Sequence, residues 1–317
     1  MKTKMLAMLA AVAMGAFASS AAAAHQKMPY PEIVDASHAS KKAARFFQSF
    51  FTAKSVHNVD DTMKHFSEEK LTYIDATLGW AFYDHKALKG VFAQYMPKWP
   101  ASGLSYPTRI LGHETSALVA FTDTPELFGG EIRILAAIDI KDGKVVRWID
   151  YWDGRHFGSA LAAKMRTPTD KFPTDFRESS LASSASAKIR EPAQKLHAAL
   201  AGNNAAAAAA LFTSDAVYED MTLRTQVLGR MAIGRYLMRS LDMVPYGVGS
   251  SIVHVVGSHQ GGGYEWQAAP AYRMTVRRGI TALAVDGNGM ISRLTTVWDG
   301  SLIGDADLKS LVLLSVE

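Results

Sequence analysis

Tyr73-Ile74-Asp75-Ala76-Thr77-Leu78 returns further along the chain as Tyr218-Glu219-Asp220-Met221-Thr222-Leu223, an offset of 218 − 73 = 145. Tyr, Asp, Thr and Leu keep their places in both copies. Lys86-Ala87-Leu88 and Met231-Ala232-Ile233 then follow at the same spacing, and Trp152-Asp153-Gly154 returns as Trp298-Asp299-Gly300 at 298 − 152 = 146. Matched blocks in one order and at nearly one offset describe a tandem duplication. A unit of about 145 residues is a full globular domain, too long for a solenoid repeat that needs its neighbours to bury a core.

The first 24 residues read as an export signal. Lys2 and Lys4 are followed by a short apolar stretch, and Ala22-Ala23-Ala24 offers small residues for cleavage before His25. The division expected is a signal at 1–24, a first domain at 25–165, a linker at 166–190 and a second domain at 191–317. The linker is rich in Ser, Thr, Pro and charge. No apolar run approaches the roughly 20 residues a membrane helix needs, so no membrane insertion is expected. With no cysteine in the chain there is no disulfide framework. The expected compartment is the periplasm or the exterior. Without Lys2 and Lys4 the basic residues number 34 − 2 = 32 against 30 acidic, a balance that gives nucleic acid no footprint.

Within each unit the periodicity alternates between helix and strand. Residues 43–53 place Ala43, Phe46, Phe47, Phe50 and Phe51 on one helical face. A short helix at 60–66 and a strand at 71–78 follow, then a helix at 85–95. Strand-like runs at 106–111, 116–122, 130–140 and 145–152 complete the unit. Lys141-Asp142-Gly143-Lys144 is a hairpin signal. Unit two repeats the order, with helices at 193–201, 205–212 and 230–238 and strands at 216–223, 250–257, 272–278, 279–285 and 291–298. Gly261-Gly262-Gly263 reads as a hairpin tip. The fold class expected is α+β: two tandem cone-shaped domains, each a curved antiparallel sheet packed against two or three helices. An apolar hollow should lie between sheet and helices.

The stretch from Phe212 to Asp220, followed by Gly229-Arg230-Met231-Ala232-Ile233, resembles the nuclear transport factor 2-like fold, whose relatives include SnoaL-like cyclases, ketosteroid isomerase and limonene epoxide hydrolase. Arg147-Trp148-Ile149-Asp150-Tyr151-Trp152-Asp153 is similar to the last strand of the cyclase and hydrolase branches. The resemblance implies that Asp220, and its copy Asp75, occupy the place of a proton-shuttling Asp. It also implies that Asp153 and Asp299 lie near a last-strand acid-base Asp. Where the hydrolases carry Arg-x-Asp this chain has Glu131-x-Arg133, and no match for the isomerase's oxyanion-holding Tyr and protonated Asp stands out.

A carboxylate in an apolar hollow has its pKa raised toward neutrality, which suits it to move a proton next to a carbonyl or to activate water. The same Asp75 and Asp220 could instead bond backbone N–H groups or the nearby Thr77 and Thr222. Asp153 and Asp299 precede a Gly and could be turn carboxylates. Asp150 shares a strand face with Trp152, whereas unit two has Thr296 there, so unit one is the copy expected to act. The aromatic set Tyr73, Trp80, Tyr83, Trp148, Trp152, Tyr218 and Trp298 could line a site for a small apolar molecule or could be core. The ten His residues show no ligand spacing, so neither a metal nor another cofactor is expected. Two functions follow: a cofactor-free isomerase, cyclase or hydrolase, or a non-catalytic ligand-binding or assembly module. Two carboxylates of one unit converging in one enclosed pocket would favour the first. The two units are expected to pair sheet against sheet as an intramolecular pseudo-dimer.

Overall fold

The computed structural model describes residues 32–180 and 184–316; the export signal expected at 1–24 lies outside them. Domain one opens with helices α1 (Lys41–Ser55) and α2 (Val59–Met63). The hairpin β1 (Thr72–Asp75) and β2 (Trp80–Phe82) leads into α3 (His85–Tyr95). Strands β3 (Ser105–His113) and β4 (Ser116–Asp123), a short α4 (Pro125–Phe128), and β5 (Ile132–Lys141) and β6 (Lys144–Tyr151) follow, with α5 (Ser159–Met165) last. Domain two repeats this as α6 (Ala187–Ala201), α7 (Ala205–Ala209), β7 (Phe212–Asp220), β8 (Thr225–Leu228) and α8 (Arg230–Ser240). Strands β9 (Ser251–Gly257), β10 (Gly261–Gln267), β11 (Arg278–Val285) and β12 (Ile291–Trp298) and helix α9 (Asp305–Leu313) complete it.

Local chemistry sets these boundaries. Ser40 caps α1 by accepting the Ala43 N–H at 3.1 Å, and Asp84 caps α3 by accepting the Ala87 N–H at 2.7 Å. Asp142 (φ 51°) and Gly143 (φ 72°) both take the left-handed conformation that a two-residue hairpin between β5 and β6 demands. Helix α6 starts earlier than the 193 expected, at Ala187, and carries Pro192 inside it.

The two sheets have the same order, β2-β1-β6-β5-β4-β3 and β8-β7-β12-β11-β10-β9. Each is antiparallel except at one place: β1 runs parallel to β6, and β7 to β12. First and last strands are joined through the rest of the domain, so no tight turn dictates their direction. The antiparallel sheets expected thus each carry one parallel pair. Register shifts at Pro107/Arg109, Asp139/Ile140 and Glu265/Trp266 mark bulges, which bend sheets.

On β6, Trp148 packs with Phe47, Phe50 and Phe51 of α1 on the helix-covered face, while Ile149 and Tyr151 point to the other. That other face meets domain two. Leu111, Leu118, Leu135, Ile149 and Tyr151 form one buried cluster with Val256, Ile280, Ala282 and Val297. Two sequence expectations fail here together. Residues 272–277 are not a strand, Arg278 opening β11, and Gly261-Gly262-Gly263 is no hairpin tip but the first half of β10. A Cβ on Gly261 would come within 2.9 Å of Leu111 Cδ2, and one on Gly263 within 2.5 Å of Leu118 Cδ1. Missing side chains at these positions let the opposed sheet approach, which a propensity reading scores only as a weak strand.

Candidate functional site

Asp75 ends β1 and Asp150 lies beside it near the end of β6, and the two are paired in the strand register. Both line a pocket of about 130 Å³ in domain one. Its walls are mostly apolar: Leu78, Trp80, Phe82, Leu88, Phe92, Phe128, Ile134, Trp152 and Phe157. Asp75 Oδ1 accepts the Thr77 and Leu78 N–H groups at 2.9 and 2.8 Å, and Oδ2 accepts the Trp152 indole N–H at 3.0 Å. Asp150 Oδ1 accepts the Trp148 indole N–H at 2.6 Å, and the Tyr73 hydroxyl donates to Oδ2 at 2.7 Å.

Burial dominates the electrostatics. Desolvation pushes Asp75 up to about 6 against the three hydrogen bonds that favour its charge. Desolvation likewise pushes Asp150 up to about 7, opposed by Tyr73 and Trp148 and assisted by the charge of Asp75. Tyr73 is held well above its ordinary range by burial and by Asp150. Two carboxylates with separated, near-neutral pKa values give one ionised base and one protonated acid at pH 6–7. Together with Tyr73 Oη, a proton acceptor and two donors face one small apolar space.

The remaining candidates fall elsewhere. Asp153 is 1% exposed and away from the hollow. It caps a 3₁₀ turn through the Arg155 N–H at 3.1 Å and pairs with the Arg155 guanidinium at 2.6 Å. Asp299 accepts the Gly154 N–H of domain one at 3.0 Å and pairs with Arg166. Both are turn carboxylates that tie the domain junction; Asp153 lines a junction cleft together with Asp220, and neither Asp153 nor Asp299 lines the domain-one pocket with Asp75. Trp148 lies behind Asp150 in the core, 1% exposed, and holds that carboxylate without lining the cavity. Trp80 and Trp152 line it; Tyr83 lies outside, under the Arg177 guanidinium at 4.1 Å.

Sequence reasoning missed Lys54 and Asp123, which face the same cavity as an ion pair at 3.1 Å. The signal was present: Lys54 continues the Ala43, Phe47, Phe50 helical stripe, so a lysine on the buried face needed a partner.

In domain two the equivalent space is occupied. Asp220, with 0% exposure, accepts the Leu223 N–H at 2.9 Å, the Tyr246 hydroxyl at 2.9 Å and the Trp298 indole N–H at 3.2 Å. Tyr218 donates to Tyr246 Oη at 2.8 Å. Tyr236, Tyr264 and Trp266 fill the remaining interior, each at most 1% exposed. Thr296 replaces the second carboxylate and donates to the Ile280 carbonyl. Desolvation pushes Asp220 up to about 6.

No protein-family model and no curated protein matches the chain. Solved structures do. A steroid delta-isomerase from Pseudomonas aeruginosa is 14% identical over 42% of this chain and 93% of its own, with a TM-score of 0.33. An NTF-2-like protein of unknown function from Burkholderia xenovorans is 13% identical over 35% and 83%, at 0.31. A protein with a ketosteroid isomerase-like fold from Catenulispora acidiphila, in complex with trimethylamine, is 20% identical over 36% and 90%, at 0.29. Each likeness covers 35–42% of this chain. Among the described residues no helix is long and apolar enough to cross a membrane.

Proposed function

We propose that domain one binds a small apolar molecule carrying one polar oxygen and moves a proton on it without a cofactor. The observation that carries this is the convergence of Asp75 and Asp150 in one mostly apolar pocket. Asp75 takes the proton, because its three donors favour the ionised form. Tyr73 donates to the substrate oxygen as charge builds there, with Asp150 behind it to share its proton. The cavity sets the scale of the ligand. About 130 Å³ suits a single ring, since a cavity of roughly 150 Å³ holds benzene, and is below the roughly 300 Å³ at which drug-sized pockets begin.

Domain two has a different part in this reading. Its interior is filled and its second carboxylate is gone, which favours a non-catalytic, assembly role. It covers the open sheet face of domain one as the second copy of a homodimer would, an internal pseudo-dimer left by duplication. The signal-like residues 1–24 put the working protein outside the cytoplasm.

The test is hydrogen exchange. Single-ring ketones are incubated with the protein in D₂O, and deuterium entering next to the carbonyl is read by mass spectrometry. Exchange in the parent that is lost in Asp75→Asn supports the reading. Exchange surviving that substitution, or single-ring ketones that neither exchange nor perturb Trp152 fluorescence, overturns it.

A further inference from the structure

Lys54, near the end of α1, and Asp123, at the end of β4, form an ion pair in the wall of the domain-one pocket. The proton transfer proposed above does not use it. Lys54 Nζ meets Asp123 Oδ1 at 3.1 Å and Oδ2 at 3.4 Å, and lies 5.2 Å from the centre of the Phe121 ring. Lys54 is 7% exposed and Asp123 6%. Burying two charges carries a desolvation penalty that can exceed their attraction, and apolar side chains of similar volume often serve a fold as well or better.

Domain two shows the apolar solution. The helix caps Ser40 and Ser186 are 146 residues apart, so Lys54 corresponds to Leu200 (54 + 146 = 200). Tyr151 and Val297, each one residue before a repeated tryptophan, pair with Leu135 and Ile280. Two residues back, Arg133 and Arg278 pair with Thr122 and Gln267, so the next residue along, Asp123, corresponds to Ala268. Leu200 and Ala268 are buried in the core of domain two. Lys54, Asp123 and Asp150 are thus replaced together, by Leu200, Ala268 and Thr296, while the Tyr, Asp and Trp of the repeat stay. The fold stands without the ion pair. The pair goes with the open pocket and the second carboxylate.

What it offers a ligand follows from its unused hydrogen-bonding capacity. An ammonium group has three donors and a carboxylate about four acceptor sites. Among the described residues Asp123 is the sole hydrogen-bond acceptor for Lys54 Nζ, and Lys54 the sole donor to the Asp123 carboxylate. A spare donor and a spare acceptor therefore sit side by side in a mostly apolar wall. A hydroxyl group donates and accepts at once and complements both. A ligand carboxylate would meet Asp75, Asp123 and Asp150 across a small space, and a ligand ammonium would meet Lys54. The pair shares that space with the reacting groups. Burial raises Asp150 and the Lys54 charge pulls against it; burial raises Tyr73, and the Asp123 charge is among those that add to it.

We propose that Lys54 and Asp123 bind a hydroxyl group of the ligand, so that the pocket takes hydroxylated single-ring ketones in preference to plain ones. The hydroxyl is a second handle beyond the oxygen assigned to Tyr73, and the inference rests on that reading of the pocket. Held at two points, the ring has one orientation, with its carbonyl toward Tyr73 and the carbon beside it toward Asp75.

Calorimetric titration of the full chain with cyclohexanone and with 3- and 4-hydroxycyclohexanone tests this. The parent should bind one hydroxyketone at least about tenfold more tightly than cyclohexanone, the effect of one hydrogen bond to a charged group. Lys54→Leu combined with Asp123→Ala, the residues that domain two carries, should abolish or reverse that order. Should this double variant unfold, Lys54→Met with Asp123→Val replaces it. Equal affinities in the parent, a preference that survives the apolar pair, or no binding of any of the three ketones would overturn the inference. Deuterium exchange on the same ketones separates the two readings. Preference without exchange keeps the hydroxyl site and removes the proton transfer, whereas exchange without preference does the reverse.

Discussion

Arg147 and Glu265 belong to different domains, are both sealed from water, and meet through two hydrogen bonds of 2.6 and 3.0 Å. Burial, the largest influence, would raise the Glu265 carboxyl, but the Arg147 charge and hydrogen bonds together with His254 and Tyr151 hold it below the usual range. Tyr151 adds a third donor at 2.8 Å, and Asp139 bridges from the same strand face to His254 at 2.8 Å. The sheet-to-sheet contact is therefore apolar with an ionic centre.

Removing one partner should cost more than removing both. Arg147→Met strands a buried carboxylate, a loss of about 3–5 kcal/mol by analogy with other broken buried pairs. Adding Glu265→Leu should restore much of it, since well-packed apolar replacements of such pairs are often neutral. Urea unfolding of the four proteins gives the coupling energy. Additive losses would show that the two side chains do not act as a unit.

Domain one alone should be poorly soluble. Residues 25–165 would expose Leu111, Leu118, Leu135, Ile149 and Tyr151, which domain two and the linker now cover, together with an Arg147 stripped of Glu265. An apolar patch of that kind drives association. Light scattering should find oligomers or aggregate; a stable monomer at high concentration would contradict the expectation.

How much of this was legible depended on which force set each element. The α1 stripe, the Asp84 cap and the Asp142-Gly143 turn are local, and their residues announce them. Gly261-Gly262-Gly263 is different: its strand packs closely against Leu111 and Leu118 of another domain, and nothing within ten residues says so. The site followed the same division. Asp75 was found through its repeat, and Asp150 through strand alternation with Trp152. Asp153 and Asp299 looked equivalent in sequence, yet the chain turns just before them, so their carboxylates serve Arg155 and Arg166 instead. Lys54 and Asp123 are 69 residues apart and meet only in three dimensions.

The two copies of the repeat should respond differently to the same substitution. Asp75→Asn removes the base facing the cavity and should abolish any proton transfer. Asp220→Asn lies in a filled interior and should leave most activity while lowering stability, since the Asn nitrogen cannot accept the bonds that Asp220 accepts from Tyr246 and Trp298. Rates and urea midpoints measured on both variants separate these effects. With Asp75 near 6 and Asp150 near 7, the parent's rate should peak between those values, because the base must be ionised and the acid protonated. Equal loss of activity in the two variants would refute the assignment.

Asp150 also ties stability to pH, with a sign opposite to that of most carboxylates. Its folded pKa, about 7, lies above the 3.8 of an unburied Asp. The folded state therefore binds this proton more tightly than the unfolded chain does. Its contribution is fully present below pH about 4 and is lost as pH rises through 7. At about 1.4 kcal/mol per pH unit, the loss is on the order of 4 kcal/mol across that window. Asp150→Asn keeps an oxygen for the Trp148 indole and a nitrogen to donate to Tyr73, yet has no proton to lose. Its stability relative to the parent should therefore climb between pH 4 and 7 and level off above that, as read from urea midpoints at half-unit steps. A difference that stays flat with pH, or that falls as pH rises, would mean that Asp150 is ionised in the folded protein throughout and cannot serve as the acid.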